Sequence, residues 1–365
     1  HAFSGIAEIQ LDPNNDPTGE PKIKGKFRIG ETLTADISNI SDADNFQGWT
    51  PTYKYSWKSS TDNQNWTEIG TSATYKITVE DKGKNIKLDV SYMDGYGTIE
   101  NLSSQSGNVP NPVIRGNSIY SISDGSSWNT TKTNAEKVGG HLATLSSGEE
   151  NRFVFENFGI DKSTNKTISS GYWIGLTDQE TEGQWKWISG EKSEWLHPGF
   201  RRGVAGYEPN GNGDHAWVKS GFALGTVTLE EVKNKWGEDY LLNGPGWDDT
   251  WESGEGTNYG VAESKFIRRE DSAYVVVQGS SWEEAEANAN KLGGHLVTIN
   301  NNNENQFLID SFTKNLSAPD PNWNNGLRAG AWIGLSNSKN KDQLNWSNGD
   351  SLNYEYFPYG AGQGE

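Results

Sequence analysis

Residues 125–144 read GSSWNTTKTNAEKVGGHLAT, and residues 279–298 read GSSWEEAEANANKLGGHLVT. The offset between the two stretches is 154 residues, and Tyr120, Glu150 and Asn151 recur at that offset as Tyr274, Glu304 and Asn305. Further on, Trp173-Ile174-Gly175-Leu176 returns as Trp332-Ile333-Gly334-Leu335 and Trp187 as Trp346, now 159 residues apart. Self-similarity at a fixed spacing marks duplicated structural units. Two homologous units therefore follow one another, 117–268 and 270–365, with five extra residues in a loop of the second. A shorter echo links Gly260-Val261-Ala262-Glu263, expected to be the last strand of the first unit, to Gly5-Ile6-Ala7-Glu8. It predicts that residues 1–12 are the terminal strand of a preceding copy and that the sequence is a window from a longer array.

Upstream of the repeats the pattern changes. Residues 11–22 form a Pro/Asn/Asp/Gly stretch that reads as a linker, and Asn108-Val109-Pro110-Asn111-Pro112 reads as a second, stiffer one. Between them apolar and polar residues alternate in Leu33–Ile37, Tyr53–Trp57, Tyr75–Val79 and Ile86–Tyr92. Period two with turn signals between the segments predicts a small all-β sandwich over residues 19–108. This stretch resembles the cysteine-free Ig-like repeats of bacterial surface proteins, including the Trp57 strand and the Asp94-Gly95-Tyr96-Gly97 turn. The acidic run Asp42-Ala43-Asp44 reads as a turn, with calcium near a linker as the other reading.

The duplicated units resemble C-type lectin-like domains of the cysteine-free, bacterial type. The resemblance rests on the helix-then-strand segment ending in Gly139-Gly140-His141-Leu142, the Trp173–Leu176 strand, the loop Asp178–Gly183, Glu208-Pro209-Asn210, and Trp247-Asp248-Asp249 before a closing strand. It implies an α+β fold, complete in 117–268 and truncated in 270–365. Where the family usually places disulfide cysteines, this chain has Ala135, Ala262 and Ala216. By the same resemblance Glu208, Asn210, Asp214, Asp248 and Asp249 are the principal calcium ligands and the carbohydrate-binding residues. Asp178 and Glu182, with Asp214 again, match an auxiliary calcium position. Calcium is a hard cation that takes six to eight oxygens, and this donor set supplies only oxygens. The Glu-Pro-Asn order resembles mannose-type selectivity, with Pro209 expected in cis. Two features depart from the family: Asp248 stands where Asn is common, and 33 residues separate Asp214 from Asp248, with Leu229, Val232 and Trp236 at helical spacing inside that insert. In the second unit, Asn337, Ser338, Lys339, Asn340 and Lys341 replace the acids of the auxiliary loop. His141 and His295 are expected to pack within their turns.

Composition narrows the function. The net charge of −18 has the wrong sign for gripping phosphate backbones, which excludes nucleic acid as a partner. Zero cysteines remove disulfides, thiolate metal sites and cysteine nucleophiles together. No apolar run is long enough to insert in a membrane. Five histidines, two of them in turns, and no phosphate-cradling or serine-nucleophile motif leave no catalytic constellation, so the chain is not expected to be an enzyme. The leading expectation is a secreted or cell-surface, calcium-dependent carbohydrate-binding module of a large extracellular adhesin, whose partners are cell-surface or matrix glycans. The alternative is a structural repeat of a filament, surface layer or sheath, with calcium as stiffener and copies of itself or neighbouring repeats as partners.

Overall fold

The computed structural model describes residues 13–161, 165–168, 171–200, 209, 213–218, 226–252, 257–312, 331–337 and 344–353. Two compact units divide the chain, His1–Pro110 and Asn111–Glu365. The expected strand at 1–12 lies outside the described residues.

Over its described part the first unit is built of strands, with one 3-10 turn at Val79–Asp81. In chain order it contains β1 (Lys22–Lys24), β2 (Thr32–Asp36), β3 (Lys54–Ser60), β4 (Thr67–Gly70), β5 (Thr74–Lys76), β6 (Asn85–Met93), β7 (Ile99–Ser103) and β8 (Gly107–Asn108). Strands β1, β2 and β5 make one sheet; β4, β3, β6 and β7 make another, with β8 also on β6. The alternation in sequence becomes alternation in burial. Ile86, Leu88, Val90 and Tyr92 of β6 are buried, and Leu33 and Trp57 meet the first three in one cluster. Each such large apolar side chain contributes about 1.5–3 kcal/mol by leaving water. The Trp57 indole keeps its polar edge satisfied by donating to the Ser72 carbonyl at 2.8 Å.

Both supposed linkers are partly structural. Val109, between asparagine and proline, is buried in the core of this unit, its amide donating to Lys84 and its carbonyl accepting from Gly83. Thr18 bridges to Ser41, and Pro21 is buried. Pro/Asn content marks where the chain turns, but it does not report what an intervening apolar residue packs against.

The second unit begins with the complete copy. Its elements are β9 (Val113–Arg115), β10 (Ser118–Asp124), α1 (Trp128–Lys137), β11 (His141–Leu142), α2 (Gly148–Phe158), β12 (Ile160–Asp161), β13 (Lys166–Thr167), β14 (Tyr172–Thr177), β15 (Lys186–Trp187), β16 (His215–Val218), α3 (Leu229–Asn243), β17 (Trp247–Thr250) and β18 (Tyr259–Lys265). One sheet runs β17-β16-β14-β18-β10-β9, with β11 added to β18 and β15 to β14. The last strand β18 lies antiparallel to β10, from Ser118 opposite Lys265 to Asp124 opposite Tyr259, and parallel to β14. This closes the domain on itself. Ser127 and Ser147 cap α1 and α2 by accepting from the amides of Thr130 and Glu150. The insert forms α3, opened by a capping box of Thr228 and Glu231 and interrupted at Gly237 by non-helical backbone. Its Val232 and Tyr240 enter the main core.

The second copy contributes β19 (Ile267–Arg269), β20 (Ser272–Tyr274), α4 (Trp282–Lys291), α5 (Asn302–Phe312), β21 (Leu335–Ser336) and β22 (Asn345–Trp346). The shared residues do the same work in both copies. Tyr120 donates to Glu150 and Tyr274 to Glu304; the indole of Trp128 donates to the Ile174 carbonyl and that of Trp282 to Ile333. Gly175 and Gly334 lie so close to the carbonyls of Leu142 and Leu296 that a Cβ would sit at 2.3 and 2.5 Å.

Candidate functional site

The acids gather around strands β14, β16 and β17 of the sheet. Strand β14 stops at Thr177, whose hydroxyl donates to the Asp214 carbonyl at 2.6 Å; the Asp178 amide donates to the same oxygen at 3.2 Å. These two bonds hold the loop after β14 against the segment that leads into β16. The loop itself folds on Asp178, whose Oδ2 accepts from the Gly183 amide at 2.8 Å. On the far side β16 pairs with β17, setting Ala216 opposite Asp249 and Trp217 opposite Asp248. Asp249 is buried and its Oδ2 accepts from the Gly213 amide at 3.1 Å, while Asp248 is half-buried.

Asp178, Asp214 and Asp249 share one electrostatic neighbourhood. Asp178 is 3% exposed and its Oδ1 is buried with no donor. Burial pushes its carboxyl above the usual range, the charges of Asp214 and Asp249 push it further, and the Gly183 amide opposes them. A buried acceptor without a donor is the kind of atom a bound cation satisfies. Convergence is incomplete among the described residues: no three of Asp178, Glu182, Asp214, Asp248 and Asp249 bring ligand oxygens within 4.8 Å of one another. Glu182 is exposed on the same loop. Glu208 and Asn210 lie outside the described residues, as do Ser338, Lys339, Asn340 and Lys341 of the second copy; Pro209 is half-buried and Asn337 exposed.

Several supporting residues escaped the sequence reading. His215 is buried with its ring stacked on Trp128 at 4.3 Å and 6°, and its Nδ1 meets the Thr177 hydroxyl at 3.1 Å. Burial holds this imidazole below the ordinary histidine value, although Asp214 and Glu252 pull the other way. The strand carrying Asp248 and Asp249 is anchored by Trp247, around which Trp187, Trp195, His197 and Phe200 gather with ring centroids 5.3–6.0 Å away. The Trp247 indole donates to Asn151 Oδ1, and Asn151 in turn donates to the carbonyls of Asn243 and Pro245. The sequence signals for this support were the recurrence of Asn151 and of Trp187 and the place of Trp247 beside the two acids. His141 and His295 both place Nδ1 against the following carbonyl, at 2.9 and 2.8 Å, in equivalent turns. His141 is half-buried and His295 exposed, so the expected packing role is limited to the first.

The pattern of the lectin C-type domain matches residues 124–219 and 278–364, together half of the chain. The chain belongs to the C-type lectin domain family. Halomucin of Haloquadratum walsbyi is 31% identical over 145 residues, which are 38% of this chain and 1% of that protein. A perlucin-like protein of Mytilus galloprovincialis is 29% identical over 101 residues, 28% of this chain and 62% of that protein. Human C-type lectin domain family 4 member F is 40% identical over 78 residues, 21% of this chain and 12% of that protein. The chain thus spans less than two thirds of the length of these curated relatives. Among solved structures, human lithostathine aligns with 42% of this chain and 88% of its own, at 15% identity and a TM-score of 0.31. The family is one of non-enzymatic binding proteins. Among the described residues, no helix is long and apolar enough to cross a membrane.

Proposed function

We propose that residues 117–268 are a calcium-dependent carbohydrate-binding module, mannose-type in selectivity, within an extracellular adhesin at the cell surface or secreted from it. The observation that carries this reading is the buried, donorless Oδ1 of Asp178 beside the charges of Asp214 and Asp249, in a chain of the C-type lectin family. Glu208, Asn210, Asp214, Asp248 and Asp249 would hold the principal ion and the sugar. Asp178 and Glu182 with Asp214 would hold the auxiliary ion. Calcium supplies coordination positions for vicinal hydroxyls; the side chains orient those hydroxyls, carboxylates accepting from them and amides donating to them. Glycans of cell surface or matrix are the partners on this reading, and weak single sites gain strength by repetition along an array. The chain divides as residues 1–12 from a preceding lectin-like copy, 19–108 an Ig-like sandwich, 117–268 a whole lectin-like domain and 270–365 part of another. A glycan panel probed with the chain in calcium and in chelator tests this: mannose-type ligands should bind only in calcium, and Asp249→Ala should abolish the binding. No calcium-dependent glycan signal would refute it.

One observation favours a second role for the ion. Asp178 is too buried to touch a saccharide, so calcium there would fasten the loop after β14 rather than bind a ligand. In a structural repeat that fastening alone would be the function, with neighbouring copies as partners. Glycans would then leave the melting temperature unchanged while chelation lowered it.

A further inference from the structure

The first unit holds its own convergence of acids, remote in sequence from the lectin loops. Carboxylate oxygens of Asp42, Asp94 and Glu100 all lie within 4.8 Å of one another, and among the described residues no other such group of three occurs. The residues come from three places: the loop after β2, the end of β6 and the start of β7. Calcium–oxygen bonds of roughly 2.3–2.6 Å allow two ligands of one ion to stand no more than about 5 Å apart, and this trio meets that limit.

Asp94 supplies the independent sign of a missing ligand. It is 0% exposed, its Oδ1 accepts from the amides of Tyr96 and Thr98 at 2.9 and 2.7 Å, and its Oδ2 is buried with no donor. The tight turn fixes one oxygen and leaves the other unsatisfied within the acidic cluster. Asn45 Oδ1, in the loop that carries Asp42, is a second buried acceptor without a donor. The other two acids are oriented as well: Tyr92 donates to Asp42 Oδ2 at 2.7 Å and Asn14 to Glu100 Oε1 at 3.0 Å. Among the described residues no lysine or arginine pairs with Asp42, Asp44, Asp94 or Glu100, so the charge of the cluster is uncompensated by protein. Burying like charges in this way is unfavourable unless something cationic joins them.

We propose that Asp42, Asp94 and Glu100 form a binding site for a hard divalent cation of the calcium class. All donors are oxygens, which disfavours the softer transition metals. The site also ties down the chain that leads into the unit. Asn14 reaches Glu100, and Asn15 donates through its amide and its side chain to both oxygens of Asp44, each at 2.7 Å. Gly95 closes the other side, its α-carbon so near the Asp44 carbonyl that a Cβ would stand 2.3 Å away. The ion would therefore join residues 14–15, 42–45 and 94–100 into one rigid corner.

Hydrogen exchange read peptide by peptide on the full chain separates this site from the lectin loops. Calcium chloride should slow exchange at least tenfold in the peptides covering 42–45 and 94–100, and Asp94→Asn, which keeps an acceptor for the two amides, should remove that protection while leaving any slowing near Asp178 intact. Unchanged exchange in the wild-type peptides at saturating calcium would overturn the proposal. Protection that survives in the double variant Asp94→Asn/Glu100→Gln would overturn it too. If the variants fail to fold, the wild-type comparison alone decides.

Discussion

Asp178 carries a charge into a place that offers it one amide and two other carboxylates. Its folded carboxyl titrates above the ordinary 3.8, so without a cation the folded domain binds this proton more tightly than the unfolded chain does. Stability from this group is therefore greatest in acid and is lost as pH rises through the interval above 3.8. Asp178→Asn should raise the melting temperature in chelator at neutral pH, match the wild type in strong acid, and fall below it once calcium is added. A lower melting temperature for the variant in neutral chelator would contradict this. Glu263 shows the opposite case. Burial works against its charge, but the bonds from Lys265 and Ser118, both 2.8 Å, outweigh burial and hold its carboxyl below the usual value. Its contribution is present above the ordinary glutamate range and is lost as pH falls through the depressed folded value. Glu263→Gln should cost about 1.5–3 kcal/mol at neutral pH, with the deficit closing in acid, as denaturant titrations at several pH values would show.

At the scale of elements, close approach decides which glycines matter. Gly175 in β14 has Leu142 on β11 so near that an added Cβ would meet its carbonyl at 2.3 Å, whereas Gly183 in the acidic loop has positive φ and open space around it. Gly175→Ala should cost about 1–3 kcal/mol through displaced strands. Gly183→Ala should cost about 1–2 kcal/mol through backbone strain alone. Urea midpoints together with the amide spectrum separate them, since only the first should move resonances of both β11 and β14. The same contacts explain what was legible in the sequence. Trp128, Glu150 and Gly175 recur because each has fixed partners in the fold, so the duplication and the α+β fold could be read from them. Asp42 could not be matched to Asp94 and Glu100, because 52 and 58 residues separate it from partners that only the packing of the two sheets unites. Nor could the ring of aromatics around Trp247 be foreseen: sixteen tryptophans announce an aromatic core without saying which of them meet. The acids of the lectin loops were legible as residues through the family resemblance. Their spacing in the fold was not, since it depends on loops whose course no periodicity encodes.

For the whole molecule, the division at Pro110 separates two cores that share no described cluster, while the two lectin copies touch. Leu292 of the second copy packs on the cluster built around Trp128 and Trp173, and the Gln278 amide donates to the Lys137 carbonyl at 2.9 Å. Calorimetry should therefore resolve at least two unfolding transitions, one from each side of Pro110. Leu292→Ala should lower the transition of the lectin side and leave the other unmoved; a single transition that shifts as one would refute the division. The pairing of β10 with β18 has a further consequence, for the order of events during synthesis. Ser118 waits for Lys265, and the positions that could have locked the two ends, Ala135 and Ala262, are buried alanines that can form no cross-link. A ribosome must deliver roughly 140 more residues before β10, paired on one side with β9, gains its second neighbour, at about 5–20 residues per second. For those seconds β10 stands as an open edge, the kind of strand that pairs with the wrong chain. Once β18 arrives the closure needs no oxidant and no reshuffling of bonds, so the domain can complete itself in any compartment that lets its last strand reach its first.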